Sequence, residues 1–371
     1  MKQGMQLNDF AREVQRQADV KRDFKAPSSR LRVQTLDPMA YRQSPEGFQM
    51  KFALAVGDGA NNQGVFPMRR LMHQQVAERT KIRWEYYERM MNEGPELVPE
   101  NVNYWFQHQD ETRLVRTLDG QARAYLGDKY RPLDNYDLFK AVAPVLMGEQ
   151  ARGMRIESIQ ITETRFFIKA FTSRLTAAVK LNDVVQAGVV ITNSEVGHSQ
   201  ISIEPAFYRL VCYNGMIRPD SSLKRRHVGR GVGDMEGVEE LFTDATRRAD
   251  DNAFWRKVVD VVRGSFDEAN FQKFIEKMRA AADNQIPKGG ASLQEVQEVV
   301  QSKYGFTDTE ADSILKNLIQ GGDLSQYGLA QAITAVANDE SVSYERSVDL
   351  ERAGGQVIEL SQRDWQELVA A

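Results

Sequence analysis

The chain has almost no cysteine, a single thiol at Cys212 in 371 residues. That excludes an internal disulfide and any zinc or iron–sulfur centre built on several cysteines. Long apolar runs are missing too. The longest, such as 141–147 (Ala-Val-Ala-Pro-Val-Leu-Met), fall well short of the ~20 residues that a membrane-crossing helix needs, so no membrane partner is expected. The opening Met-Lys-Gln-Gly leads into a polar stretch with no apolar segment of the export type. An excess of positive charge is also absent. Lys and Arg number 48 against 52 Asp and Glu, a net charge of −4, so any polyanion site has to be a local patch. The expectation is a soluble protein of the cytosol.

Local catalytic signatures are absent as well. There is no phosphate-cradling Gly-x-x-x-x-Gly-Lys-Ser/Thr loop and no His-Glu-x-x-His pair. Gly229, Gly231 and Gly233 are closely spaced but follow a basic stretch, not a strand, and lack the dinucleotide spacing. The histidines, His73, His108, His198 and His227, are scattered. Cys212 sits in an apolar β-rich run and is expected to be a buried, chemically quiet thiol. No catalytic residue, metal ligand or cofactor is assigned.

What is there is a chain of alternating structural signals. Leu7, Phe10, Ala11, Val14 and Ala18 form one apolar stripe of an amphipathic helix, in a segment 1–35 with eight basic and four acidic side chains. Phe52–Val56 has the composition of a strand, and 57–64 that of a loop. Pro67 suits the first turn of a helix, and 66–108 is expected to be helical and rich in aromatics. Thr112–Leu118, Asp119-Gly120 and Gln121–Leu126 form a hairpin signature, because Asp-Gly supplies the positive φ angles of a type I′ turn. A helix is expected over Asp134–Met147, and strands within Met154–Thr172, Val184–Thr192 and Gln200–Asn214. One antiparallel sheet with an inserted helix is therefore expected over about 110–217. Further on, Phe254–Ala282 has a helical pattern. Ser292/Glu295 and Thr307/Glu310 are capping boxes, and Gly321-Gly322 ends the second helix. Leu329, Ile333 and Val336 mark one more.

The fold class expected is α+β, a central antiparallel sheet flanked by helices, with a helical C-terminal region. The division expected is an amphipathic N-terminal arm (1–35), an α+β core (36–233) and a mostly helical acidic region (234–371). Charge changes sign sharply at the second boundary. Residues 218–230 hold five basic side chains and one acid, and 234–251 hold seven acids and two arginines.

That basic segment carries the most functional information. Arg218, Lys224, Arg225, Arg226 and Arg230, with His227 among them, repel one another, and a polyanion partner gains by releasing counterions. The glycines at 229, 231 and 233 let a backbone approach a phosphate. Arg113, Arg116, Arg123, Lys129 and Arg131 add cations on or near the hairpin, with Tyr125 and Tyr130 interleaved as aromatics able to stack bases. The competing readings are a solvated linker, or a partner for the acidic 234–251 stretch inside the same chain.

Three sets of segments resemble a known family. The first is 113–120 (Arg-Leu-Val-Arg-Thr-Leu-Asp-Gly) with 124–135 (Ala-Tyr-Leu-Gly-Asp-Lys-Tyr-Arg-Pro-Leu-Asp-Asn). The second is 190–197 (Val-Ile-Thr-Asn-Ser-Glu-Val-Gly), 209–216 (Arg-Leu-Val-Cys-Tyr-Asn-Gly-Met) and His227-Val-Gly229. The third is 344–355 (Tyr-Glu-Arg-Ser-Val-Asp-Leu-Glu-Arg-Ala-Gly-Gly). Together they resemble the phage/plasmid-like family grouped under domain of unknown function 932, over roughly 65–360. The resemblance implies a mobile-element origin and a bacterial cytoplasm, and no reaction. Three functions stay open: a single-stranded DNA binding, annealing or protection protein that self-associates, a host- or virion-interaction protein, and a metal-dependent enzyme on nucleic acid.

Overall fold

A computed structural model describes the chain outside residues 37–50, 58–62, 110, 151–152, 213, 219–223, 226–243, 287–291 and 371, and gives backbone alone at 149–150, 224–225 and 244–248. Helix α1 (Leu7–Val20) buries Phe10 and Val14 of the predicted stripe, leaves Ala11 and Ala18 half-buried and exposes Leu7. The Phe10 ring lies 5.3 Å from Phe139 and 5.2 Å from Phe166, which docks the helix on the body of the protein. Strand β1 (Arg22–Pro27) then pairs antiparallel with β5 (Thr112–Leu118), and β5 with β6 (Gln121–Gly127). Asp119 and Gly120 take φ of 52° and 73°, so the Asp-Gly turn stands as expected.

A second three-stranded sheet is formed by β2 (Leu31–Thr35), β3 (Phe52–Val56) and β4 (Gly64–Pro67). Helices α2 (Arg70–Arg79), α3 (Trp84–Glu93) and α4 (Leu97–His108) cover these strands. Phe52, Tyr87, Phe106 and Tyr125 are buried in the layer between. Asn103 of α4 closes the outer edge of β2. Its carboxamide accepts from the Val33 N–H at 2.7 Å and donates to the Val33 carbonyl at 2.8 Å.

After α5 (Asn135–Gln150) come the strands of the main sheet. They are β7 (Met154–Ile161), β8 (Phe166–Lys180), β9 (Asp183–Asn193), β10 (Ile201–Arg209) and β11 (Asn214–Ile217), antiparallel in the order β11-β10-β9-β8-β7. A short β12 (Lys224–Arg225) also pairs with β10. The C-terminal helices are α6 (Asp244–Gly264), α7 (Glu268–Asp283), α8 (Leu293–Tyr304), α9 (Asp308–Gly321), α10 (Gln326–Val336), α11 (Tyr344–Glu359) and α12 (Gln362–Ala370). Both capping boxes form, at Ser292 and Thr307, and Gly322 ends α9 in the left-handed region.

These helices explain why β9 is apolar on both faces. Val189, Ile191, Ile203 and Phe207 face the main core, where Phe207 stacks on Phe274 of α7 at 4.1 Å. Val190, Phe167, Phe171 and Tyr208 face the other way, onto Val348 of α11. Helix α11 comes close to the sheet because Gly355 has no side chain, and a Cβ there would overlap the Ile217 carbonyl oxygen. Lys169 of β8 and Glu351 of α11 form a buried ion pair across this contact.

The α+β architecture with a central antiparallel sheet and a helical C-terminal region is as expected, and four details differ. Pro67 lies in strand β4 and does not open a helix, because its φ suits an edge strand as well as a first turn. The hairpin belongs to a sheet separate from β7–β11, because its outer partner, β1, comes from the N-terminal segment. The expected helix over 254–282 is two helices, broken at 265–267, where Asp267 caps the second. Cys212 is exposed. The apolar run around it ends with β10 at Arg209, and the thiol sits in the turn before β11, 3.3 Å from the Arg209 guanidinium. Among the described residues no helix is long and apolar enough to cross a membrane.

Candidate functional site

The β5–β6 hairpin carries a bulge. Arg116 pairs with Ala124 and Thr117 with Ala122, which leaves Arg123 as the extra residue. A bulge re-aims a side chain, and it turns Arg123 to the face that Arg116 occupies. Both meet the turn after β9 there. Arg123 Nη2 donates to Glu195 Oε2 at 2.5 Å. Arg116 donates to the Glu195 carbonyl at 2.8 Å, to Asp134 at 2.6 Å and to Asp23 at 3.0 Å. The other Glu195 oxygen accepts the Asn135 N–H at 2.7 Å, and Lys21 adds an ion pair with Asp134.

Arg116 is fully buried. Burial opposes its charge, but the Asp134, Asp23 and Glu195 carboxylates more than offset that, and its pKa is raised. Burial likewise works against the Asp134 carboxylate, yet Arg116 and Lys21 hold its pKa below the ordinary value. This network ties three distant parts of the sequence together: β1, the hairpin with its following loop, and the 193–198 turn. Two of the three segment sets that carry the family resemblance meet in it.

Above the network lies a cleft of about 470 Å³ between α1, the hairpin turn, the β7–β8 connection and the 195–196 turn. Four arginines line it: Arg16, Arg69, Arg123 and Arg165. Arg16 is held by Glu13 at 2.8 Å and Asp119 at 2.5 Å. Hydrogen bonds from Arg16 lower the pKa of both carboxylates. Arg165 meets Asp349 at 3.0 Å and His198 at 3.3 Å. Burial first, and then the Arg165 charge, lower the His198 pKa. The Arg69 guanidinium has one hydrogen-bond partner among the described residues, the neutral Gln121 at 2.7 Å.

The residues singled out in the sequence divide three ways. Arg113, Arg116, Arg123 and Tyr125 are buried and occupied internally, so they cannot form the exposed nucleic-acid face expected of the hairpin. Arg113 pairs with Glu111 and lies 5.6 Å from the Tyr125 ring, and Tyr125 stacks on Phe106. The physical reason is that β1 and the flanking helices cover faces that an isolated hairpin would leave solvated. Tyr130 is half-buried, with its hydroxyl donating to the Ser194 and Glu195 carbonyls. Arg131 pairs with Asp250 and Asp251. Arg218 pairs with Glu359 at 2.7 Å beneath the Phe274 ring. Lys129 is exposed. Lys224 and Arg225 form β12, opposite Ser202 and Ile201. Arg226, His227 and Arg230 lie outside the described residues.

Sequence reasoning missed Glu195, Arg69 and Arg165. A carboxylate between the apolar β9 and a glycine turn was a usable signal for Glu195. Nothing local marks the two arginines, which reach the cleft only through the tertiary fold. Among the described residues no group of three or more His, Cys, Asp or Glu side chains is arranged to hold a metal.

A family model described as "Domain of unknown function (DUF932)" matches residues 124–349, from within β6 to within α11. No curated protein and no solved structure matches the chain.

Proposed function

We propose, for a chain that belongs to the family of the domain of unknown function DUF932, that it binds single-stranded nucleic acid without making or breaking covalent bonds. The contacts are Lys129 and the basic stretch Lys224, Arg225, Arg226, His227 and Arg230. The single observation that carries this reading is the pairing of β12 with the first residues of β10. It holds the start of the basic stretch against the main sheet, just after the 194–200 turn in which His198 meets Arg165 at the cleft. A like-charged stretch anchored beside a structured surface binds a polyanion at less entropic cost than a loose linker does. The reading extends to self-association in the cytoplasm of a bacterium that hosts a phage or plasmid. Arg113 and Arg116 of the hairpin play no part in it, since both are buried and paired with carboxylates inside the protein.

One observation favours the interaction-protein reading instead. Tyr104 and Trp105 of α4 are 54% and 41% exposed, beside His108, which stacks on Tyr104 at 4.1 Å. Exposed aromatic rows of this kind suit protein partners.

The deciding experiment is a titration of labelled single-stranded DNA across salt concentrations. Changing Lys224, Arg225 and Arg226 together to Ala should weaken binding and make the slope of log affinity against log salt shallower by about two, at roughly 0.7 per lost single-strand phosphate contact. Thermal stability should hardly change. An unchanged slope overturns the reading. A loss of stability without a change in DNA binding would assign the stretch to an intramolecular role.

A further inference from the structure

We propose that the arginine-lined cleft is a binding site for a phosphoryl group. The argument rests on which groups in the cleft are already satisfied. Of its four carboxylates, Glu13, Asp119 and Glu195 each have a charged donor, from Arg16 or Arg123, and the fourth, Glu163, is exposed. The donors are in excess. Arg69 spends one guanidinium N–H on an uncharged amide and forms no ion pair within 4 Å among the described residues, although its charge reaches Asp119. Arg123 is 4% exposed and lines the cleft, and it gives Glu195 one N–H while its Nε is buried without a partner. Arg165 likewise has a buried Nε without a partner. A buried guanidinium nitrogen left unpaired costs free energy that an incoming acceptor recovers.

The charge sign follows from this balance. A cation would find three of the four carboxylates occupied by arginines, whereas an anion would find guanidinium groups with donors to spare. The shape of the anion follows from where the arginines come from. Arg69 precedes α2, Arg123 sits in the β6 bulge, and Arg165 precedes β8. One guanidinium fork saturates a carboxylate, while a tetrahedral phosphoryl group has oxygens for forks converging from several directions. Arg69 is also the N-cap of α2, and no side chain caps that helix end. The positive end of the helix dipole therefore adds to the field beside Arg69.

The phosphoryl group can belong to a free phosphorylated small molecule or to the end of a nucleic-acid strand, and two arms separate these. In the first, thermal stability is followed against inorganic phosphate, with acetate at matched ionic strength as control. The expected result is a saturable rise with phosphate and none with acetate. Arg69→Gln should weaken the phosphate response about tenfold or more, as expected for a lost charge-assisted hydrogen bond. Arg69→Lys should recover part of it, and both variants should keep the wild-type urea midpoint without phosphate. Equal responses to phosphate and acetate, or an unchanged response in Arg69→Gln, overturn the proposal. In the second arm, a 5′-phosphorylated oligonucleotide is compared with its 5′-hydroxyl form. A preference that Arg69→Gln abolishes assigns the strand end. No preference, with the phosphate response intact, assigns a free small molecule. Loss of strand binding on changing Lys224, Arg225 and Arg226 leaves the first arm untouched, so the two proposals fail separately.

Discussion

The Lys169 ammonium and the Glu351 carboxylate meet at 2.6 Å with neither side chain more than 1% exposed. They join the middle of β8 to α11, and the Tyr344 ring lies 5.2 Å from the same ammonium. Burial pushes the Lys169 pKa down, and Glu351 acts against that. Removing one partner strands the other charge in the interior. Glu351→Gln or Lys169→Met is therefore expected to cost about 3–5 kcal/mol. The double replacement Lys169→Met with Glu351→Leu should recover most of the loss. Urea unfolding of the three variants checks this, and single variants within 1 kcal/mol (an order-of-magnitude limit) of wild type would contradict it.

His73 gives a pH dependence of known sign. It is fully buried, its Nδ1 lies 3.0 Å from the Tyr87 hydroxyl, and burial lowers its pKa to about 3. The unfolded chain binds a proton on this residue below about pH 6.5, and the folded chain does not until about pH 3. Its contribution to stability is thus complete above pH 6.5 and falls as pH drops toward 3, by at most ~1.4 kcal/mol per pH unit. Unfolding free energies measured from pH 7 to pH 4 should decline, and His73→Gln should flatten that decline. Identical pH profiles would refute the assignment.

Gly355 is expected to tolerate no side chain. A Cβ would overlap the Ile217 carbonyl oxygen of β11, so Gly355→Ala has to push α11 off the sheet. The cost should be about 1–3 kcal/mol, read as a lowered melting temperature, whereas Gly321→Ala, where a Cβ meets nothing within 4 Å, should leave stability nearly unchanged.

Cys212 should react quickly with a thiol reagent in the folded protein. It is exposed in the turn after β10. Modification should leave the melting temperature within a degree or two (an order-of-magnitude limit for an exposed turn residue). A thiol that labels only after unfolding would contradict the exposed position.

The elements governed by nearby residues were legible in the sequence. The Asp119-Gly120 turn, the capping boxes at Ser292 and Thr307, and the apolar stripe of α1 each depend on side chains within one or two turns of chain. What was not legible depends on distant pairing. Arg116 looked like a surface residue because its partners Asp23 and Glu195 are far away in sequence, and Tyr125 did because the ring stacked on it, Phe106, belongs to helix α4. Cys212 looked buried because apolar composition does not reveal where a strand stops and its turn begins. Arg69 and Arg165 carried no signal, since an isolated arginine has the same local pattern on a bare surface as in a cleft.

The pairing of Asn103 with Val33 has a consequence for how the protein behaves in solution. The outer register of β2 is the place where a strand from another molecule would add to the sheet, and one carboxamide already fills its central donor and acceptor. Among the described residues, resistance to sheet-to-sheet growth between molecules is supplied at this edge by the Asn103 side chain of a helix. The colloidal stability of concentrated protein is in that sense a property of α4 rather than of the strand it guards.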